Sequence, residues 1–314
     1  MPTPALPKDA PAQLALTDDA ARQLANATKS RAQLDTITRR WLVQMLPWVP
    51  VEAGIYRLNR VKDPESVAVS TPPRDESELT PTYVGYYEAP REYFLSTITT
   101  IVDIHTRVSD LYSSPFDQIA EQIRLTVETM KERQESELIN STDYGLLASV
   151  EAGQRISTLT GPPTPDDFDQ LITKVWKDPA FFLAHPLGIA AFARECTRRG
   201  VPPVTVSLCG SQFITWRGLP ILPSDKVPVV GGKTKVLLLR VGEARQGVIG
   251  LYQPGLAGEQ SAGLSVRFMG ISRNAIASYL VSLYSSLAVL TSDALAVLDD
   301  VEVDKFHDYG HTYR

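Results

Sequence analysis

One stretch, residues 114–140, limits what this chain can fold into more than any other. It reads SPFDQIAEQIRLTVETMKERQESELIN and is the longest uninterrupted helical pattern in the sequence. Ser114 suits the N-cap of a helix and Pro115 suits its first position. A helix over this range would be about 40 Å long, more than the width of a small domain. Apolar side chains recur every three or four residues and predict one buried face, formed by Phe116, Ile119, Ile123, Val127 and Met130.

The second half of this helix, KERQESE at residues 131–137, is almost wholly polar. We therefore expect it to be solvated, with Lys131–Glu135 and Arg133–Glu137 as surface ion pairs. A helix of this kind either lies across the back of a larger body or projects beyond it.

Composition and charge exclude several classes of protein. The 314 residues, 43% of them hydrophobic, suffice for one large domain or two ordinary ones with a sizeable core. The formal net charge of −5 argues against nucleic-acid binding, which needs a basic surface. The two cysteines, Cys196 and Cys209, form no disulfide framework or zinc motif and favour a reducing cytosolic setting. The first residues have no apolar core, so we do not interpret them as a secretory signal.

The candidate for a membrane span is the charge-free run at residues 274–292. It contains several hydroxyl side chains and is bounded closely by Arg273 and Asp293. A spanning helix needs about 20 predominantly apolar residues. We therefore interpret the run as a buried core segment and the chain as not an integral membrane protein.

The N-terminal third contains little that would fold alone. Residues 1–15 are rich in Pro and Ala and predict a mobile arm, followed by a short helix from Thr17 to about Lys29. The apolar segment 41–48 (WLVQMLPW) needs a covering surface, either within the subunit or on a neighbouring one. Residues 54–70 predict a polar hairpin with its turn at Asp63–Ser66.

The rest of the chain predicts helices and strands that are segregated rather than regularly alternating. Such segregation favours an α+β fold over a doubly wound sheet. We expect helices at 164–176 and 187–199, the second ending at Gly200. The predicted strands lie at residues 91–105, 204–208, 213–216, 235–241, 247–252 and 265–269 and within 279–290, with a short closing element at 293–298.

A search for catalytic motifs finds no assembled active site. Gly231-Gly232-Lys233-Thr234 lacks the upstream glycine of a phosphate-binding loop, because Val227 stands there, and it predicts a hairpin turn. His105 and His185 are interpreted as structural, hydrogen-bonded residues, and Cys196 as buried rather than reactive.

Four side chains near the C-terminus, Asp304, His307, Asp308 and His311, could share one helical face and bind a metal. A soluble metal-dependent enzyme using this His/Asp cluster is therefore the alternative hypothesis. Gly310 beside the cluster argues against a stable helix there. We accordingly expect a non-catalytic, assembling protein with no metal and no cofactor.

Strings from about residue 15 to residue 306 resemble one protein family, the family 2A encapsulin shell proteins. These proteins share the major-capsid fold of Hong Kong 97-type tailed phages. Family 2B shells carry an inserted cyclic-nucleotide-binding-like domain, and this sequence has no such insertion. The strings that carry the resemblance are ARQLANATKS, VEAGIYR, RDESEL, MKERQESELIN, PAFFLAHP, ECTRRGVPP, ITWRGLP, GLYQP and LSVRFMGI.

The resemblance implies a phage major-capsid-like fold built from an arm, an extended loop, a peripheral domain and an axial domain. Its arm would clasp a neighbouring subunit, and the strands of its extended loop would pair across subunits. The implied parts are an N-terminal arm at 1–40, a peripheral domain at 41–150 with the extended loop at 51–90 and the long helix at 114–140, an axial domain at 151–260, C-terminal strands shared by both domains at 261–305, and a tail at 306–314.

The resemblance also implies a structural shell subunit rather than an enzyme. About sixty copies would assemble into an icosahedral nanocompartment in the bacterial cytoplasm. The implied cargo is a cysteine desulfurase that is loaded through its disordered N-terminal segment, and the implied process is sulfur metabolism.

One loop aligns with the five-fold pore of such a shell. A simpler explanation of its two arginines is that basic residues favour a helix C-terminus, and the two explanations are compatible. The pore-lining residues that the resemblance implies are Thr197, Arg198, Arg199, Gly200, Val201, Pro202 and Pro203.

Overall fold

The computed structural model describes residues 34–62, 81–105, 117–273 and 276–306, and these residues contain both helices and strands. The helices are α1 (Trp41–Met45), α2 (Gln118–Asn140), α3 (Leu146–Ser149), α4 (Pro165–Lys174) and α5 (Pro186–Arg198). The strands are β1 (Trp48–Pro50), β2 (Ile55–Leu58), β3 (Arg91–Phe94), β4 (Ser96–His105), β5 (Arg155–Ser157), β6 (Phe181–Ala184), β7 (Val204–Leu208), β8 (Ser211–Trp216), β9 (Leu219–Pro223), β10 (Lys233–Leu239), β11 (Val248–Tyr252), β12 (Glu259–Ser261), β13 (Leu264–Ile271), β14 (Ile276–Val289) and β15 (Leu295–Glu302).

Two sheets organise the described residues. The first has the order β1-β11-β14-β13-β12, and β4 also pairs with β14. The second has the order β5-β15-β10-β6-β9-β8-β7. The strands β2 and β3 form a separate two-stranded ribbon. Helix α2 packs on the first sheet, and α4 and α5 pack on the second, so the predicted α+β class is confirmed.

The charge-free run near residue 280 forms the centre of the first sheet. It becomes β14, which pairs antiparallel with β4 from Ile276↔His105 to Ser285↔Ser96 and with β13 as well. The expected strand at 91–105 is present, interrupted at Leu95 between β3 and β4. The run is therefore a core strand, as the sequence predicts, and no helix among the described residues is long and apolar enough to cross a membrane.

The long helix begins later than its sequence predicts. Asp117 has an extended backbone, and its side chain accepts hydrogen bonds from the backbone N–H groups of Ile119 and Ala120 at 3.0 and 3.1 Å. Asp117 is therefore the N-cap, and the prediction of Ser114 was wrong. Residues 114–116 lie outside the described residues. The apolar face is confirmed, because Val127 and Met130 are buried against the first sheet.

The polar second half of α2 is buried, which contradicts the sequence-based expectation. Glu132, Gln134 and Glu135 are all buried, and the following Leu138 and Ile139 belong to the largest apolar core. This half is covered by other parts of the same subunit. The surface pair Arg133–Glu137 forms at 2.5 Å.

Glu135 does not form the ion pair with Lys131 that the sequence predicts. Its carboxylate turns inward and accepts a hydrogen bond from Ser224 instead. Burial of this end by the subunit itself is the physical reason, because an inward carboxylate needs a partner that the protein interior supplies.

The apolar segment at 41–48 packs within the subunit. Trp41 and Leu42 of α1 are buried in the same core as Leu138, and the Trp41 ring meets Phe213 edge to face at 4.8 Å. Of the two alternatives for this segment, intramolecular packing is the one observed.

The ribbon pairs differently from the predicted hairpin. Strand β2 pairs antiparallel with β3, from Ile55↔Phe94 to Leu58↔Arg91. An isolated bridge from Val61 to Tyr86 continues this pairing. Among the described residues the partner of β2 is β3, about 35 residues further along the chain, whereas the return strand of the predicted hairpin, at residues 67–70, lies outside the described residues. The predicted turn at Asp63–Ser66 lies outside the described residues, as does the predicted short helix before residue 30.

The second sheet surrounds a core of aromatic side chains. The ring centroids of Phe182 in β6 and Phe192 in α5 lie 4.9 and 3.9 Å from the ring centroid of Phe168 in α4. Thr164 and Asp167 form a reciprocal capping box at the start of α4. The segment predicted as a short closing element at 293–298 contains the end of a 3-10 turn, Ser292–Ala294, and the first residues of β15, a strand that lies between β5 and β10.

Candidate functional site

The C-terminal cap of α5 determines the conformation of the loop that follows this helix. Gly200 has a φ of +71°, and its N–H donates to the Thr197 carbonyl at 3.1 Å. The N–H of Val201 donates to the Cys196 carbonyl at 3.0 Å. This is a Schellman-type end, for which glycine is the favoured residue because a left-handed backbone costs it nothing. The sequence prediction of Gly200 as the end of this helix is confirmed.

Both arginines of this loop turn back onto one buried carboxylate. Glu195 is 2% exposed and accepts a hydrogen bond from Arg198 at 2.9 Å and another from Arg199. Burial raises the pKa of Glu195, but the two guanidinium groups outweigh burial and hold that pKa below its usual value. The three side chains together carry a net charge of about +1 rather than +2.

The remainder of the loop is apolar and uncharged. From Gly200 to Trp216 the chain has no charged residue, and Val201 and Val204 are exposed. A cleft of about 430 Å³ opens here between the loop and the turn after β8. Its lining residues are Val201, Pro202, Pro203, Val204, Thr215, Trp216, Arg217 and Gly218.

The other candidate residues have structural surroundings. His185 caps α5 by accepting from the N–H of Leu187 at 3.1 Å, and burial lowers its pKa. Cys196 is fully buried, and burial raises the pKa of its thiol to about 11. Both are positioned as the sequence predicts, since His185 is a hydrogen-bonded cap and the buried Cys196 thiol stays protonated, and therefore unreactive, near neutral pH.

Neither the glycine motif at residues 231–234 nor the described part of the C-terminal His/Asp cluster has the geometry of a ligand-binding site. Gly231 and Gly232 both have a positive φ and form the turn between Val230 and Lys233, as the sequence predicts. Asp304 is exposed, whereas His307, Asp308 and His311 lie outside the described residues. Within the described ranges, no group of three or more metal-ligating side chains is found.

Sequence reasoning missed a polar junction at the buried half of α2. Glu132 accepts hydrogen bonds from the Thr38 N–H at 2.8 Å, from the Thr38 hydroxyl at 2.9 Å and from Arg40 at 3.0 Å. Its other partner is Lys226, at 3.1 Å. Burial raises the pKa of Glu132, but the hydrogen bonds from Thr38 and Lys226 outweigh it, so the pKa is lowered.

Glu135, one helical turn away, is in the opposite situation. It is 1% exposed and accepts from the Ser224 hydroxyl at 2.7 Å and from the backbone of Val43. Its second oxygen is buried without a hydrogen-bond partner. Burial is the main reason that its pKa is raised. The sequence signal for this junction is the spacing of the acidic residues in KERQESE. That spacing does not show that other parts of the chain fold over these residues and bury them.

The fold defines the class of protein first. The chain is similar to the capsid of a native GTA particle, with a TM-score of 0.62 at 13% identity over 87% of this chain and 94% of that one. Phage structures give comparable agreement. At this identity the likeness shows the fold alone, which is the Hong Kong 97-type capsid fold that the resemblance implied.

The family follows from closer relatives. The family described as "Type 2A encapsulin shell protein SrpI-like" matches residues 56–305. The type 2A encapsulin shell protein SrpI of Synechococcus elongatus is 69% identical over 299 residues, which cover 95% of this chain and 98% of that protein. The solved holo-SrpI encapsulin complex from Synechococcus elongatus PCC 7942 superposes with a TM-score of 0.82 at 67% identity, over 94% of this chain and 99% of that one.

The chain belongs to the SrpI-like type 2A encapsulin shell proteins. Its role is that of a nanocompartment shell subunit, structural rather than enzymatic. This assignment decides between the two initial hypotheses in favour of the shell and against the metal-dependent enzyme.

Proposed function

We propose that this chain forms a closed icosahedral shell of about sixty copies around a cysteine desulfurase. The observation that carries the proposal is the match over almost the whole chain to SrpI, whose solved structure is described as a holo encapsulin complex. The desulfurase would be loaded through its disordered N-terminal segment, and the compartment would serve sulfur metabolism in the bacterial cytoplasm.

The proposed division of labour follows the capsid parts. Residues 1–40 act as the arm, 41–150 as the peripheral domain, 151–260 as the axial domain, 261–305 as the shared strands and 306–314 as the tail. The exposed end of the ribbon supports an intersubunit role for the extended loop at 51–90. Its large apolar side chains stand in solvent in the single subunit, and they are Val61, Tyr83, Val84 and Tyr86.

The loop Thr197–Pro203 is proposed to border the five-fold opening. What supports this is its exposed, uncharged tip beside a partly neutralised pair of arginines. The net positive charge that remains on the two arginines and Glu195 would still favour the passage of small anions through such an opening. Replacing Arg198 and Arg199 together by Gln should leave assembly intact and slow the entry of a small anion into purified shells. Unchanged anion entry would remove these residues from the opening.

Cargo identity is tested by co-expression. The shell protein is produced with a cysteine desulfurase that carries a long N-terminal extension, and with the same enzyme lacking the extension. We expect desulfurase activity to co-purify with particles only when the extension is present. Equal co-purification of both enzymes, or of neither, would contradict the proposed cargo.

A further inference from the structure

Residues 34–40 lie on the body mainly through polar contacts. Asp35, Thr36, Ile37 and Arg39 are exposed, so apolar burial does little to hold this segment in place. Thr38 and Arg40 instead direct their hydrogen bonds to α2. Arg40 binds Glu132 at 3.0 Å and Glu128 at 2.8 Å.

The backbone at Arg40 needs this support. Its φ and ψ are +48° and +56°, a left-handed conformation that costs a non-glycine residue about 1 kcal/mol or more. This conformation turns the chain sharply into α1. Two ion pairs on its side chain hold the turn from the helix side.

Glu132 connects this turn to a third part of the subunit. One oxygen of its carboxylate accepts from the Thr38 N–H and from Arg40, and the other accepts from the Thr38 hydroxyl and Lys226. Lys226 follows β9 in the second sheet, and it also pairs with Asp225 at 2.8 Å. A single partly enclosed carboxylate thus joins residues 38–40, the long helix and the second sheet.

We propose that Glu132 is the positioning residue for the N-terminal arm, fixing the point and direction in which the arm leaves the subunit toward a second copy. The proposal rests on the proposed arm role of residues 1–40. The donors of Thr38, Arg40 and Lys226 all reach this one carboxylate, so its loss would leave Arg40 with its ion pair to Glu128 and Thr38 without its acceptor. Residues 34–40 would loosen while the cores of the two sheets remain intact.

The charged groups around Glu132 determine how the junction responds to acid. Glu128 and Glu135 lie on α2, Arg40 on the segment before α1, and Lys226 and Asp225 after β9. Two cations face Glu132 directly, so its carboxylate stays ionised at neutral pH. Protonation removes the attraction to both cations, and the arm contact weakens as the pH falls through the lowered pKa.

Hydrogen–deuterium exchange of the full-length chain tests whether Glu132 positions the arm, and shell yield is the second measurement. Glu132→Gln should speed amide exchange in residues 34–40 by about tenfold and lower shell yield several-fold, while the rest of the subunit exchanges as before. Glu135→Gln is the matched control, an isosteric change at a neighbouring buried carboxylate, and should leave both measurements unchanged at neutral pH. Arg40→Gln changes no residue of α2 and should produce the same faster exchange and lower shell yield. It provides the test if Glu132→Gln does not fold.

The pH profile separates positioning from general stability. In the wild type, exchange in residues 34–40 should accelerate on acidification beyond the intrinsic pH dependence, and Glu132→Gln should lack this acceleration. Unchanged exchange in both Glu132→Gln and Arg40→Gln would contradict the proposed positioning role of Glu132. A wild-type chain that forms no shell, or a chain without residues 1–33 that assembles normally, would instead contradict the proposed function while the exchange result still stands.

Discussion

Two glutamates on α2 show how position alone sets the chemistry of a side chain. Glu132 meets two cations, Arg40 and Lys226, and the two neutral donors of Thr38, whereas Glu135 meets two neutral donors and leaves one oxygen unpaired. Their pKa values consequently move in opposite directions. The sequence KERQESE carries both residues in one polar run and gives no indication of this difference.

The stability of the Glu135→Gln variant relative to the wild type should increase as the pH rises. A carboxyl group whose pKa is raised on folding stabilises the fold at acid pH, and this contribution is lost as the pH rises through the folded-state pKa. The variant should therefore match the wild type near pH 4 and gain about 1–2 kcal/mol in free energy of unfolding at alkaline pH. Urea denaturation across this pH range measures the difference, and a pH-independent difference would contradict the assignment.

Glu195→Gln should show the opposite trend. The carboxyl pKa of Glu195 is lowered, so its contribution is present above the unfolded value of about 4.3 and is lost as the pH falls through the folded-state pKa. We expect a loss of roughly 1–3 kcal/mol at pH 7, because two arginines lose a buried partner.

Thermal or urea unfolding of Glu195→Gln at pH 7 and near pH 3 provides the test. The variant and the wild type should converge at the acid end. The exposed Glu88 offers a control, since Glu88→Gln should change stability by less than about 0.5 kcal/mol. Equal stability of Glu195→Gln and the wild type at pH 7 would show that the arginine pairs are not formed.

Among the helices and strands, sequence periodicity identified most elements because their side-chain patterns and caps involve residues that are close together in the sequence. The apolar face of α2, the capped start of α4 and the glycine end of α5 were all predictable from neighbouring residues. The strand β6, FFLA, was missed because a strand buried on every side shows no alternation of polar and apolar residues. The pairing of β2 with β3 was missed because local turn signals cannot show a partner far along the chain.

The start of α2 provides a direct test at this scale. Asp117→Ala should cost about 1 kcal/mol in unfolding free energy, because it removes the acceptor for the N–H groups of Ile119 and Ala120. Ser114→Ala should have little effect, although its sequence position resembles an N-cap. Chemical denaturation of the two variants measures the difference, and a larger loss for Ser114→Ala would restore the earlier helix start.

For the molecule as a whole, specific strings in the sequence predicted the family, and the fold comparison agrees with that prediction. What sequence patterns could not give is how the subunit holds its own parts together. The polar end of α2 was expected to lie at a surface, yet it forms the junction of the arm segment, the long helix and the second sheet. Burial of this end depends on contacts between residues separated by more than 85 positions, which no local pattern reports.

A shell subunit of this family should close into a shell without any other component. Size-exclusion chromatography with light scattering, followed by negative-stain imaging of the purified full-length chain, measures whether it does. We predict megadalton particles of uniform diameter with hollow centres, which is the expected form of about sixty copies in a closed point group. A monomer or small oligomer under the same conditions would contradict it.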